Sequence, residues 1–306
     1  MKTQRPILVT GSLRSGTTWT GKMISVASEV AYIHEPFNLD IHMGVNPKPF
    51  EFWFTYLDDT NTETFCETFR DIVEFKYPLA HNASQVRTPR NLAKLLRDQG
   101  LSAFHRIRNA RPLVKDPIAF FSSEWLARQF DMQVLVLIRH PAAFCSSLKI
   151  LNRGFPFKNF LRQPLLMEKY LYPYEKEMME FESNEKDIID QGILLWNCFH
   201  FTVKKYQERN TDWIFIRHED LSLDPCDQFR LLYDKLNLRF TQKAKNAIEE
   251  SSGSHNPVEQ IPQKQFKRNS RKNVTNWKNR LSREEIERIR LETSDLSGLF
   301  YTDSEW

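Results

Sequence analysis

Gly11-Ser-Leu-Arg-Ser-Gly-Thr-Thr18 sets two glycines with four residues between them, follows an apolar run and leads into helical spacing. Such a turn exposes successive backbone N–H groups at a helix start, where they and the helix dipole favour an anion. Thr17 and Thr18 add hydroxyl donors. The spacing is that of a phosphate-binding P-loop, but Thr17 stands where that motif has lysine, and Arg14 is the loop's cation. In nucleoside triphosphatases an acid at a strand end helps to hold Mg²⁺. Here the corresponding strand, Val134–Ile138, ends in Arg139. The loop therefore suits one phosphate that carries one transferable group, with the Arg14 guanidinium placed to bridge that phosphate and the leaving oxygen. Arg139 and Ser147, a strand end and a position about two turns into the next helix, are suited to a single further phosphate.

These residues need a scaffold that brings strand ends together. Ile7–Thr10, Val30–Ile33, Arg111–Val114, Met132–Ile138 and Trp213–Ile216 read as strands, the fourth as a central buried one. Helical spacing is expected over 17–27, 60–77, 89–109, 118–130, 187–208, 224–237, 241–250 and 282–293. A loop is expected over 251–280. Strands alternating with helices predict an α/β fold with a parallel sheet flanked by helices, and ligands in such folds bind at the carboxyl ends of the strands. The glycine loop, His34-Glu35, Lys115-Asp116 and Arg139-His140 all fall there. A single domain over 1–306 is expected, with insertions near 38–110 and 153–185. The aromatic run Pro49–Tyr56 and the second insertion line an acceptor cleft, fill the core or form an oligomer contact.

Composition excludes several classes. A net charge of +4, from 43 basic and 39 acidic residues, fits an anionic ligand and falls short of a nucleic-acid footprint. Four widely spaced cysteines form no metal-ligand or disulfide pattern. The Asn82 and Asn273 glycosylation patterns carry no meaning in a cytosolic chain. No apolar run reaches membrane-spanning length, and the first strand begins at once, so the expectation is a cytoplasmic protein without signal peptide or anchor.

Ser12-Leu-Arg-Ser-Gly-Thr-Thr-Trp19 resembles the 5′-phosphosulfate loop of the sulfotransferases that use 3′-phosphoadenylyl sulfate (PAPS), in the bacterial and carbohydrate-type form with Arg14. The resemblance implies the P-loop-type sulfotransferase fold and PAPS as co-substrate, with 3′-phosphoadenosine 5′-phosphate (PAP) as product and no metal. It makes Arg14, Ser15, Gly16, Thr17 and Thr18 the phosphosulfate grip, and Arg139 with Ser147 the 3′-phosphate site. Ser270-Arg-Lys-Asn-Val-Thr-Asn-Trp-Lys278 is similar to the family's C-terminal segment over the 3′-phosphate and adenine. That similarity implies Arg271, Lys272 and Asn273 as ligands, although Asn273 replaces a glycine and the spacing to Trp277 is one residue short. His218 stands for a tyrosine near adenine. Trp19 either stacks on adenine or packs its helix. Lys267 and Arg268 read as a solvated basic loop.

By the same resemblance Lys115 faces substrate and sulfate, and Glu35, in Tyr32-Ile-His-Glu-Pro-Phe37, is the expected base. His34, whose ordinary pKa suits proton transfer near neutrality, is the runner-up, and Asp116 the third contender. The acceptor class implied is a hydroxyl of a sugar, lipid or small metabolite, in a protein without nucleic-acid partners or a transmembrane segment, and with an oligomer left open. The competing readings are a phosphotransferase with a degenerate loop and a non-catalytic PAP(S)-binding module.

Overall fold

The structure is a computed structural model that describes residues 5–40, 50–76, 88–152, 154–184, 186–259 and 267–306. The Asn82 pattern and part of the first insertion lie outside the described residues. Strands β1 (Ile7–Gly11), β2 (Val30–His34), β3 (Arg111–Lys115), β4 (Gln133–Ile138) and β5 (Ile214–Arg217) form one sheet in the order β2-β3-β1-β4-β5. Every pair is parallel. The expected α/β architecture is thus the observed one.

Alternate strand residues face opposite sides of the sheet. Leu8, Ile33, Val114, Val134, Val136 and Ile138 enter one core, and Ile7, Val9, Leu113, Leu135, Leu137 and Ile214 the other. Because both faces are covered, the strands read as continuous apolar runs rather than alternating ones.

The helices used below are α1 (Thr17–Ile24), α2 (Glu63–Val73), α3 (Pro89–Ile107), α4 (Ser123–Phe130), α5 (Pro141–Leu151), α6 (Glu175–Ser183) and α7 (Ile188–Arg209). After β5 come α8 (His218–Leu223), α9 (Pro225–Lys235), α10 (Gln242–Ser252), α11 (Ser270–Val274) and α12 (Arg283–Glu292). Phe144 of α5 and Trp196 and Phe199 of α7 fill the first core. Met23 of α1, Phe229 of α9 and Ile248 of α10 fill the second. Pro141 opens α5, where its missing N–H costs nothing. Asp187 caps α7 by accepting from the Ile189 and Asp190 amides.

Two expectations are corrected, and the second insertion, for which the sequence predicts no elements, gains them. The helix expected from Ile118 starts at Ser123, because the Asp116 carboxylate holds the Ile118 and Ala119 amides in a turn and residues 120–122 form a 3₁₀ turn. The loop expected over 251–280 contains α11 and a 3₁₀ turn, Asn276–Asn279, because Asn269 caps α11 through the Lys272 amide at 3.1 Å. The insertion 153–185 is helical over Lys158–Leu161, Pro164–Leu166 and α6. The aromatic segments contribute to the core and also line a second cleft of 340 Å³, where Phe50, Phe52 and Tyr56 face Gln163 and Leu166. Phe54, Phe157, Phe160 and Tyr170 are buried, and Phe54 meets Phe121, Phe160 and Phe199 edge-on at 5.1–6.3 Å between centroids.

Candidate functional site

Parallel register puts all five strand ends at one edge: Val9 is level with Lys115, His34 with Lys115, Gly11 with Leu137 and Ile138 with Arg217. The chain leaves β1 through Gly11 at φ 145°, where a Cβ would collide with the Leu137 carbonyl. Inside the turn the Ser15 hydroxyl donates to the Ser12 carbonyl at 2.7 Å. Gly16, at φ 93°, starts α1, and a Cβ there would enter the His218 ring at the end of β5. The two glycines thus let the turn close against β4 and β5 while α1 presents its first, unpaired amides to the strand-end edge.

Arg14 is itself left-handed, at φ 61°. Its Nε donates to Ser147 Oγ at 3.0 Å, and Arg139 Nη1 donates to its carbonyl oxygen. Loop, β4 end and α5 are therefore locked together by the side chains that the sequence singles out. Burial, with the charge of Arg268, lowers the Arg14 pKa from its ordinary 12.5. Burial also pulls Arg139 down to about 10, with Arg14 and Arg268 contributing against the opposing charge of Glu219. Both remain cations at neutral pH.

At the β2 and β3 ends a second cluster forms. Lys115 is fully buried and its Nζ donates to Glu35 Oε1, while Asn38 Nδ2 donates to Glu35 Oε2 at 2.6 Å. Burial alone would raise the Glu35 pKa; the hydrogen bond and charge of Lys115 outweigh it and hold the carboxyl below its ordinary 4.5. Asp116 is spent differently. Its two oxygens accept from the Phe37, Ile118 and Ala119 amides at 2.7, 2.9 and 3.3 Å, so it pins the β2 and β3 exit turns together from a fully buried position. His34 sits outside, half exposed, its Nε2 3.9 Å from Glu35 Oε2.

A cleft of 410 Å³ opens between these groups. Arg14, Gly16, Thr17, Thr18, Trp19, Glu35, Arg139, His218 and Asn273 line it. Ser15 lies beneath the loop, Lys115 behind Glu35, and Ser147 is bonded to Arg14. Arg271 and Lys272 are exposed on α11 and are not part of the lining. In their stead the wall holds Arg268, with Ser222, Ser251 and Ser270. The Arg268 amide donates to the Ser251 carbonyl at 2.9 Å, which fixes the basic segment to the end of α10. The signal that could have found it is Asn269 as the cap of α11: the residue before a cap lies outside the helix, whereas Arg271 and Lys272 turn with it.

Trp19 donates through Nε1 to Ser251 Oγ at 2.9 Å and meets Phe229 edge-on at 5.2 Å, so it packs α1 as well as facing the cleft. Burial, followed by Arg139 and Arg268, drives the His218 pKa well below 6.5, leaving a neutral ring. Ser12 Oγ, Arg139 Nε and His218 Nδ1 are buried with no hydrogen-bond partner among the described residues. Three arginines and one carboxylate, itself paired with lysine, make this wall strongly anion-selective.

A family model described as the sulfotransferase family matches residues 6–242. Among solved structures, the chain is similar to the sulfotransferase domain from the curacin biosynthetic pathway, at 15% identity and TM-score 0.49 over 95% of this chain and 98% of that one. For the sulfotransferase domain from the Synechococcus PCC 7002 olefin synthase the values are 14% and 0.49, over 99% and 98%. For the sulfotransferase from Alicyclobacillus acidocaldarius they are 14% and 0.42, over 98% and 97%. No curated protein matches.

Proposed function

This chain belongs to the sulfotransferase family, and on that premise we propose that it moves the sulfuryl group of PAPS to an acceptor hydroxyl, leaving PAP and a sulfate ester. The observation that carries the donor assignment is the pairing, in one cleft, of the α1 amides and Arg14 with Arg139 and Arg268. That arrangement offers two anion sites to a nucleotide with charge at both its 5′ and 3′ positions. The unpartnered Arg139 Nε and His218 Nδ1 fit a ligand that supplies phosphate oxygens and a base edge.

The donor supplies a sulfur open to in-line attack by the acceptor oxygen, with the phosphate leaving. Glu35, the cleft's one lining carboxylate among the described residues, accepts the hydroxyl proton. Its depressed pKa keeps it ionised at neutral pH, and Asn38 and Lys115 fix its direction. Lys115 acts from behind Glu35. Arg14, locked by Ser147, balances charge growing on the leaving phosphate. The loop cation and the arginine at the β4 end do the work that a divalent ion does beside a lysine-bearing P-loop. The acceptor is a hydroxyl of a sugar, lipid or small metabolite, and the reaction belongs to the cytoplasm.

Glu35→Gln tests the mechanism. Sulfuryl transfer from PAPS should fall by about 10²-fold or more while calorimetric PAP affinity stays unchanged. Undiminished turnover would remove Glu35 from the reaction. PAP binding without any turnover in the unaltered protein, across a panel of alcohol acceptors, would favour a binding module.

A further inference from the structure

Among the described side chains of helix α3, the large apolar ones point outward. Those partly covered are Asp98, Gln99, Ser102, Ala103 and His105, with the His105 ring 5.3 Å from that of Phe75. The residues it turns to solvent are Leu92, Leu96, Phe104 and Ile107, which are 46, 64, 54 and 85% exposed. At 3.6 residues per turn these four fall within roughly a third of the circumference. Ala93 and Gly100 lie between them, and the exposed Leu101 extends the patch at one flank. An amphipathic helix ordinarily faces the other way, so a contiguous stripe of this kind calls for a covering partner.

Charge says which partner. Residues 89–108 contain Arg90, Lys94, Arg97, Arg106 and Arg108 against Asp98 alone, an excess equal to the net +4 of the whole chain. Arg97, Arg106 and Arg108 are exposed, and the Arg108 guanidinium lies 5.0 Å from the Phe104 ring centroid, at the edge of the apolar stripe. A second copy of the chain would press these cations against their own kind. An anionic headgroup layer neutralises them while the acyl boundary takes the leucines, Phe104 and Ile107. Among the described residues no helix is long and apolar enough to cross a membrane, so α3 would lie in the surface.

We infer that α3 is a membrane-surface helix that seats this protein on an anionic bilayer. The inference is independent of the sulfuryl-transfer reading.

Co-sedimentation of the full chain with vesicles tests it. Binding to phosphatidylcholine vesicles containing phosphatidylglycerol should be at least about tenfold tighter than to phosphatidylcholine alone. The triple substitution Leu96→Asp, Phe104→Asp, Ile107→Asp should abolish binding with the melting temperature retained, since all three side chains are solvent-facing. Arg97→Glu with Arg106→Glu should erase the preference for the anionic lipid. Equal binding to both vesicles, or none to either, would overturn the inference. So would a dimer in light scattering that the aspartate variant dissociates, because the stripe would then belong to a second copy.

Discussion

In the proposed mechanism the Lys115–Glu35 pair bears on both stability and reactivity. Lys115 is fully buried and the Glu35 side chain is partly exposed to the cleft, and removing one member of such a pair leaves a poorly compensated charge. Glu35 has a lowered pKa in the folded chain, so its contribution to stability is present above the ordinary value near 4.5 and is lost as pH falls through the depressed one. Lys115→Met should therefore cost about 3 kcal/mol at neutral pH, a loss that shrinks in acid. Without the ammonium, burial raises the Glu35 pKa, and the acid limb of the kcat/KM profile should move up by about one pH unit or more. Chemical denaturation against pH and a kinetic pH profile read the two effects. An unmoved acid limb would mean that Glu35 is not the titrating base.

At the scale of elements, the turn between β1 and α1 is fitted to β5. Gly16 touches the His218 ring across the sheet, and its φ of 93° is one that side chains rarely adopt. Gly16→Ala should cost about 2 kcal/mol from the left-handed backbone alone. Because the added Cβ displaces His218, PAP affinity should also fall by at least about tenfold, as a thermal melt and calorimetry would show. A variant that keeps its affinity would place His218 outside the nucleotide site. The strand–loop–helix unit and the parallel sheet were legible because their signals are local: two glycines at fixed spacing, and apolar runs bounded by charged strand ends. The start of α4 was not, since it depends on Asp116 reaching three amides in two turns, one of them 79 residues away in sequence. The placement of Arg268 inside the cleft, and of Arg271 and Lys272 outside it, follows in part from the Asn269 cap, which the sequence offers, and in part from the bond of the Arg268 amide to Ser251 at the end of α10, which no local pattern encodes.

Across the whole molecule, two separate places concentrate positive charge. The strand-end edge gathers Arg14, Arg139 and Arg268 round one cleft, while the twenty residues 89–108 carry a cationic excess beside exposed apolar side chains. The aromatic side chains of the segments after β2 and after α5 interleave in the sheet's first core and line no part of the cleft that holds the three arginines. Composition alone could not separate these uses, because a phenylalanine in a core and one in a cleft look alike until the chain is folded.

The central claim is that this cleft holds a nucleotide by both its 5′ and 3′ anionic ends, without a divalent ion. Calorimetry with PAP and with ADP, each with and without Mg²⁺, measures that claim directly. The account predicts that PAP binds at least about tenfold more tightly than ADP, that Mg²⁺ changes neither PAP value, and that Arg139→Ala removes the preference, a change of about 1.4 kcal/mol or more. Equal affinity for PAP and ADP in the unaltered protein, or tight binding of ATP only with Mg²⁺, would contradict it.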